Sequence, residues 1–166
     1  MYCSIAGIKR RKPTIFSDSR GKFLEAFRSE IDSGPSFVQD NLSYSRKHVL
    51  RGMHFQSGQA KQIRCIKGII FDVVVDMREN SNTFGCWESF LLDDEKSEEI
   101  FIPDGCAHGF CVLSDEAIVY YKITDFYDPT KERGFHYADK EIGIEWPIDN
   151  PLLSERDRHA KSFGDR

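Results

Sequence analysis

The sequence of 166 residues lacks the features that define several large classes of protein. It has no long apolar run, so we expect no transmembrane helix. The short apolar start at Met1–Ile8 is followed by four basic residues, and this pattern fits neither a signal peptide nor a membrane anchor. Positive charge is not in excess either, because the net charge is −4 and the pI is near 5.7. Nucleic acid and anionic membranes are therefore not expected as partners.

Paired cysteines are also missing. The five cysteines are an odd number, and none of them forms a C-x-x-C pair: Cys3, Cys65, Cys86, Cys106 and Cys111. This spacing suits neither a zinc site nor a disulfide framework. We expect free thiols in a protein of the reducing cytoplasm.

Cofactor and metal motifs are absent as well. The sequence contains no G-x-x-x-x-G-K-[ST] or G-x-G-x-x-G loop, so neither a P-loop nor a Rossmann cofactor site is expected. Its five histidines form no H-x-H or H-x-x-x-H pair, and Arg51 lies between His48 and His54, where it disfavours a cation. We therefore predict no metal and no cofactor.

The sequence is rich in short strand signals separated by turns. Strands are indicated about every ten residues, at Ile69–Met77, Glu88–Leu92, Glu99–Ile102, His108–Leu113 and Ala117–Thr124. Helix is indicated only near the ends, at Leu152–Ala160 and as a short turn near Arg28–Asp32. With no repeat or linker, the pattern predicts a single all-β domain over residues 1–166, a jelly-roll barrel with short helices near the termini.

Three segments place polar residues inside apolar strand patterns. In the first, alternation puts four polar side chains on one face of a strand: Gln39, Asn41, Ser43 and Ser45. Such a row lines either a wet cavity or a solvated outer face. The nearby Arg51 and His54, set among Leu50, Met53 and Phe55, favour a pocket.

The second and third segments each offer one candidate side chain. His108 lies between small residues just after a Pro-Asp-Gly turn, where a ligand can approach it. The neighbours Tyr120 and Tyr121 must point to opposite sides of a sheet, so one of their hydroxyls faces inward and needs a partner. Alternation alone does not decide which one.

Together these segments resemble the dTDP-4-dehydrorhamnose 3,5-epimerase family. The resemblance runs in order from Asp18 to Asp157 and rests on seven strings: Asp18-x-Arg20-Gly21-x-Phe23-x-Glu25, Gln39-x-Asn41-x-Ser43, Val49–Gln56, Asp72-Val73-x-Val75-Asp76-x-Arg78, Ile102–Phe110, Tyr121-Lys122, and Gly143-Ile144-x-Trp146-Pro147 followed by Leu153-Ser154-x-x-Asp157. One string would be weak evidence, whereas seven in order are specific.

The resemblance implies a cupin-type jelly roll, a homodimer and a metal-independent isomerase acting on a nucleotide sugar. A 4-keto group acidifies the hydrogens on C3 and C5, because the carbanion delocalises onto oxygen as an enolate. His54 matches the family's base, with Asp157 as its partner, and histidine's ordinary pKa of ~6.5 suits proton transfer near neutrality. Lys61 matches the cation beside the ketone oxygen, and Tyr121 matches the acid on the opposite face.

The resemblance also implies substrate contacts. Gln39, Asn41, Arg51 and His108 match residues that line the sugar and the diphosphate, and the planar guanidinium of an arginine suits a diphosphate. Arg20 and Glu25 match a segment that reaches the partner's site in family dimers. Phe126 and Tyr127 fall where the family has an aromatic pair, and Tyr127, which shares a face with Tyr121, is expected to stack on the base.

The chain departs from the family pattern in three places. The stretch from Gln56 to Lys61 is several residues shorter than usual, Phe126 replaces a frequent Tyr, and Tyr137-Ala138-Asp139 stands where Trp-Asn-Asp is common. The base is expected to be that of dTDP, with GDP, CDP and UDP left open, and exchange at C3, at C5 or at both is left open too. The alternatives are a 3,4-ketoisomerase, a non-catalytic sugar-nucleotide-binding protein and, more remotely, a metal-dependent oxygenase.

Overall fold

The computed structural model describes residues 1–28 and 35–165. These residues form mostly β-strands, with one short α-helix, α1 (Glu155–Arg158), and a 3-10 turn at Phe163–Asp165. None of the helices in these ranges has the length and apolar character needed to cross a membrane. The strands are β1 (Lys9–Arg11), β2 (Ile15–Asp18), β3 (Gly21–Leu24), β4 (Gln39–Arg46), β5 (Leu50–Gln56), β6 (Lys61–Lys67), β7 (Ile69–Asp76), β8 (Trp87–Asp93), β9 (Glu99–Ile102), β10 (Cys106–Val112), β11 (Glu116–Ile123) and β12 (Glu132–Gly134).

Ten of these strands form two antiparallel five-stranded sheets. The first sheet has the order β1-β9-β6-β11-β4, and the second has the order β12-β5-β10-β7-β8. Strands β2 and β3 form a separate hairpin. The two large sheets pack face to face around a shared apolar core, which confirms the predicted all-β jelly roll.

The long apolar run that predicted β7 is explained by burial on both faces of the strand. Ile70 and Val74 point into the core between the sheets. Val73 and Val75 point the other way and pack under the C-terminal segment, in a second cluster with Phe135, Ile142 and Phe163. Because neither face meets water, the sequence of β7 shows a nearly continuous apolar run instead of alternation.

A bulge in β5 decides which side chains enter the barrel. His54 lies opposite His108, but Arg51 lies opposite Phe110, so two residues of β5 face one residue of β10. Gly52 adopts a φ of +129°, and a Cβ there would lie 2.5 Å from the Cα of Gly109. The bulge resets the alternation of the strand, so that Arg51 and His54, three residues apart, reach the same cavity.

The C-terminal helix is shorter than the predicted Leu152–Ala160. Leu152 forms a parallel bridge with Val49, which holds the chain extended until Ser154. Ser154 then caps α1 by accepting a hydrogen bond from the backbone N–H of Asp157, and the helix ends at Arg158. The turn expected near Arg28–Asp32 lies, apart from Arg28, outside the described residues.

Candidate active site

A cavity of about 800 Å³ opens between the two sheets. Its volume lies in the range of sites that enclose a small organic ligand. Its walls are formed by Leu42, Ser43, Tyr44, Val49, Leu50, Arg51, His54, Lys61, His108, Phe110, Tyr121, Glu132, Leu152, Leu153, Ser154, Arg156 and Asp157. Six of the twelve site residues named from the sequence therefore line this one cavity: His54, Asp157, Lys61, Tyr121, Arg51 and His108.

The topology places the two proposed proton-transfer groups on opposite walls. His54 belongs to β5 in the second sheet, whereas Tyr121 belongs to β11 in the first sheet. Lys61 lies beside Tyr121, at the start of the neighbouring strand β6, where it pairs with Ile123. A flat ring between the sheets would thus meet an imidazole on one side and a phenol on the other.

His54 is held by a buried carboxylate. The Nε2 atom of His54 lies 2.6 Å from Oδ1 of Asp157, whose residue is only 3% exposed. Burial alone would raise the pKa of Asp157, but hydrogen bonds from His54 and Ser154 outweigh it and lower the pKa below its usual value. An ionised carboxylate can only accept a hydrogen bond, so Nε2 carries the proton and Nδ1 keeps its lone pair. This arrangement prepares Nδ1 to act as a base.

A second imidazole–carboxylate pair lies next to the first. His108 is opposite His54 on the paired strand β10, and its Nε2 lies 2.7 Å from Oδ2 of Asp72. Asp72 is fully buried inside the barrel, which raises the pKa of its carboxyl group, while His108 and Lys61 oppose that rise. This pair fixes the orientation of the His108 ring in the cavity wall.

Lys61 is a cation that the site makes easy to deprotonate. Burial lowers the pKa of its ammonium to about 8, and the negative charges of Glu132 and Asp72 limit the shift. The group is therefore still mostly protonated at neutral pH, in a wall where little water competes with a ligand. It can supply a hydrogen bond and a positive charge to an oxygen that becomes negative.

Tyr121 points into the cavity and Tyr120 points away from it. The hydroxyl of Tyr120 donates a hydrogen bond to Asp40 on the outer side of the first sheet, while Tyr121 lines the cavity. Burial, together with the charge of Glu132, raises the pKa of Tyr121 above its ordinary value. Tyr121 therefore holds its proton at neutral pH and is able to donate it.

The polar row of β4 faces inward. Gln39, Asn41 and Ser43 are half-buried and Ser45 is buried, whereas the residues between them are exposed, so the alternative of a solvated outer face is wrong. Ser43 lines the cavity, and Ser45 accepts a hydrogen bond from Nε of Arg51. Nε2 of Gln39 donates a hydrogen bond to Oδ1 of Asn41 at 2.8 Å, and both residues lie beside the cavity, outside its wall.

Four other predicted residues also lie outside the wall. Phe126 is largely exposed and Tyr127 is half exposed in the loop after β11, where the hydroxyl of Tyr127 donates to the cavity residue Glu132. Arg20 lies at the tip of the β2–β3 hairpin, paired with Asp18, and Glu25 follows the hairpin, paired with Arg28. Within one chain, the structure does not bring Arg20 or Glu25 to the cavity.

Sequence reasoning missed three charged residues of the site. Glu132 and Arg156 both line the cavity and form an ion pair with each other, and Asp72 supports His108. Arg156 occupies an unspecified position in the motif Leu153-Ser154-x-x-Asp157, and its place directly before Asp157 was the one available signal. Glu132 lies in the short edge strand β12, beside β5, and nothing in its local sequence distinguishes it from a solvated charge.

Residues 1–28 and 35–165 contain no cluster of metal-ligating side chains. No three His, Cys, Asp or Glu side chains converge there as a metal ion would require. All five cysteines are free, and burial raises the pKa of Cys65, Cys106 and Cys111 to about 12, so these thiols are not activated nucleophiles.

Known proteins are similar to this chain in both sequence and fold. The family model described as dTDP-4-dehydrorhamnose 3,5-epimerase matches residues 2–165. An enzyme of that name from Shigella flexneri is 47% identical over 162 residues, covering 93% of this chain and 90% of the relative.

Solved structures with bound sugar nucleotides are similar too. The dTDP-6-deoxy-D-glucose-3,5-epimerase of Legionella pneumophila, solved with dTDP-4-keto-L-rhamnose, has a TM-score of 0.92 at 41% identity and covers 99% of this chain and 92% of its own. A 3'-monoepimerase of Streptomyces bikiniensis, solved with dTDP-quinovose, has a TM-score of 0.91 at 37% identity, covering 98% and 87%. With the sequence, the fold and the family model in agreement, this chain belongs to the dTDP-4-dehydrorhamnose 3,5-epimerase family.

Proposed function

We propose that this protein epimerises an NDP-4-keto-6-deoxyhexose, by default dTDP-4-keto-6-deoxyglucose, at C3, at C5 or at both. The observation that carries the proposal is the placement of His54 and Tyr121 on opposite walls of one cavity, with Lys61 beside Tyr121. Inversion at a carbon next to a ketone needs these three functions: a base on one face, an acid on the other and a cation at the ketone oxygen.

In the proposed mechanism, Nδ1 of His54 removes the proton from the carbon next to the C4 ketone. The electrons of the broken C–H bond move into a C–C double bond, and the ketone oxygen becomes an enolate. Asp157 stabilises the resulting imidazolium through its 2.6 Å hydrogen bond, and this bond is in place before the reaction begins. Tyr121 then donates its hydroxyl proton to the opposite face of the same carbon, which inverts the configuration.

The enolate oxygen is stabilised by donors in the cavity wall. Lys61 supplies an ammonium whose low pKa reflects burial, and hydrogen bonds are stronger in such a poorly hydrated place than in water. Removing one donor of this kind commonly costs about 3–4 kcal/mol of barrier. His108, held by Asp72, is the second ring able to contact the sugar.

We assign binding of the nucleotide diphosphate to the two arginines that line the cavity. Arg51 and Arg156 both line the cavity, and guanidinium groups bind phosphate oxygens in bidentate fashion. Tyr127 in the loop after β11 is proposed to stack on the base, and Gln39 and Asn41 are proposed to bind the sugar-phosphate end from β4. One of the similar structures is a 3'-monoepimerase, and for this reason the proposal includes exchange at C3 alone.

We further propose a homodimer in which the β2–β3 hairpin packs on the partner. Phe16 and Phe23 face each other on this hairpin and are 62% and 70% exposed. A two-stranded hairpin is marginal in water by itself, and its exposed rings need a surface to cover them. Such a contact would carry Arg20 and Glu25 to the partner's cavity.

Two broader assignments complete the proposal. Residues 1–166 form one domain, which is supported by the common core of both sheets and by the family match over residues 2–165. The protein works in the cytoplasm, which is supported by its five free cysteines, since thiols persist in a reducing compartment.

Turnover in deuterated water tests the proposed function. The protein is incubated with dTDP-4-keto-6-deoxyglucose, and C3 and C5 are followed by NMR. We expect inverted product with deuterium at C3, C5 or both. A product carbonyl at C3 would indicate a ketoisomerase. Tight binding without deuterium at either carbon, for the dTDP, GDP, CDP and UDP sugars alike, would indicate a binding protein and contradict the proposal.

A further inference from the structure

The last residue of β5, Gln56, has a side-chain amide that is fully engaged with a neighbouring loop. Gln56 is 2% exposed and lies two residues after His54. Its Nε2 donates to Oδ2 of Asp125 at 3.2 Å and to the carbonyl oxygen of Phe126 at 2.9 Å, and its Oε1 accepts from the backbone N–H of Asp128 at 2.9 Å. One buried amide thus holds three of the four residues 125–128.

The fourth residue of this loop, Tyr127, is held from the other side. Its backbone N–H donates to Oε1 of Gln39 on β4 at 3.1 Å. Its hydroxyl donates to Oε2 of Glu132 in the cavity wall at 3.1 Å. The ring of Tyr127 is thereby fixed beside the cavity even though the residue itself is half exposed.

A buried amide is unfavourable unless its hydrogen-bonding groups are satisfied. At Gln56 they are satisfied by the loop 125–128 in the conformation that the structure shows. The loop directly follows β11, which carries Tyr121, and Gln56 ends the strand that carries His54. The amide therefore connects the strand of the proposed base to the loop of the proposed nucleotide platform.

We propose that Gln56 is a positioning residue for nucleotide recognition, acting through Tyr127. It holds the loop 125–128 so that the Tyr127 ring is already in place to stack on a nucleobase when the ligand arrives. This inference rests on the proposed function, in which Tyr127 is the residue that meets the base. Pre-ordering the loop reduces the conformational entropy that binding would otherwise have to remove.

The test compares the binding of two ligands to the wild type and to the variant Gln56→Met. This substitution keeps the length of the side chain and removes all three hydrogen bonds. Isothermal titration calorimetry measures Kd for dTDP and for inorganic pyrophosphate. We expect dTDP to bind about five- to 150-fold more weakly, the range spanned by losing one base–aromatic stack, and pyrophosphate to bind within about twofold of wild type. Equal weakening of both ligands, or of neither, would overturn the inference.

A double-mutant cycle tests whether Gln56 acts through Tyr127. In a Tyr127→Ala background, Gln56→Met should weaken dTDP binding no further, because both changes remove the same stacking interaction. A full additional loss there would mean that Gln56 acts by another route. Gln62→Met, a half-buried amide on β6, is the matched control and should leave both affinities unchanged.

A second variant keeps the inference testable if Gln56→Met does not fold. In Gln56→Glu the new carboxyl group can donate only when it is protonated, so dTDP affinity relative to wild type should recover as the pH falls from 8 to 5.5. No recovery would count against the inference. Turnover of the wild type separates the two proposals. A wild type that turns over substrate, with dTDP binding unchanged in Gln56→Met, refutes only this inference. A wild type that turns over none of the dTDP, GDP, CDP and UDP sugars refutes the proposed function and this inference with it.

Discussion

The tautomer of His54 is set by a residue that lies 103 positions away in the chain. Asp157 reaches His54 because Ser154 caps α1 and turns the carboxylate back toward β5. The imidazole of this cavity residue therefore keeps the lone pair of Nδ1 available. At the residue scale, the proposed catalysis depends on this single hydrogen bond.

Replacing Asp157 by Asn should lower kcat by about 10²–10⁴-fold. The amide can donate to Nε2 and stabilise the tautomer whose Nδ1 is already protonated, so His54 can no longer accept the substrate proton. Turnover is measured by NMR, and dTDP affinity by calorimetry should stay close to wild type. Asp115→Asn, at a carboxylate whose side chain is 95% exposed, is the control. Full activity in Asp157→Asn would contradict the proposed base.

Deprotonation of Lys61 should set the alkaline limit of the pH profile of kcat/KM. Its ammonium is present below its pKa of about 8 and is lost above it, so kcat/KM should fall as the pH rises through that value. The Tyr121 proton does not account for this limit, because burial raises the pKa of that phenol above its ordinary value. The measurement is initial rate at low substrate concentration between pH 6 and 10.

The matched variant is Lys61→Arg, since a guanidinium stays protonated throughout this range. Its residual activity should show no fall near pH 8. A wild-type profile that stays flat to pH 10, or the same limb in Lys61→Arg, would show that Lys61 does not control the reaction.

At the scale of elements, the sequence predicted the positions of the strands better than it predicted the bulge in β5 or the length of α1. The turn residues and β-branched runs placed β9 correctly and placed β7 to within a residue of each bound. The bulge in β5 was not predicted, because a close approach between Gly52 and Gly109 involves two strands that the local sequence does not connect. The predicted C-terminal helix was longer than α1 for the same reason. The bridge between Leu152 and Val49 keeps the chain extended there, and it is a tertiary contact.

Substitution of Gly109 by Ala should disturb this bulge. The added Cβ would lie 2.6 Å from Sδ of Met53 and 2.9 Å from the carbonyl oxygen of Arg51, so β5 would have to move next to His54. We expect a loss of about 1–3 kcal/mol in the free energy of unfolding, together with lower kcat. Urea denaturation and turnover measure the two effects.

Gly164→Ala provides the comparison, since its added Cβ would meet only Oε2 of Glu141 at an ordinary 3.8 Å. It should change neither stability nor rate appreciably. If Gly109→Ala behaves like Gly164→Ala, the close packing at the bulge has no role in holding the site.

At the scale of the whole molecule, the motifs named six side chains that line one cavity, and the fold explains why they meet. Residues from β5, β6, β10, β11 and α1 converge because the two sheets face each other. Glu132 was missed since its role comes only from its pairing beside β5 and its contact with Arg156. Arg20 and Glu25 remain outside the cavity of their own chain, which is why the proposal needs a second copy.

The double substitution Phe16→Ser and Phe23→Ser tests that second copy. Removing both exposed rings should shift the protein from dimer to monomer and raise KM, because Arg20 would no longer reach the partner's cavity. Sedimentation velocity and steady-state kinetics give the two readouts. Leu91→Ser, at another exposed apolar residue, should leave both unchanged. A wild-type protein that is monomeric and fully active would contradict the dimer.

The most direct measurement of the central claim uses Tyr121→Phe in deuterated water. If His54 and Tyr121 act on opposite faces of one sugar ring, the variant can still form the enolate but can only return a proton from the side of His54. NMR should then show deuterium entering recovered substrate of unchanged configuration, while inverted product falls by about 10²–10⁴-fold. Inversion at the wild-type rate, or no deuterium in either species while the variant still binds dTDP, would contradict the two-sided mechanism.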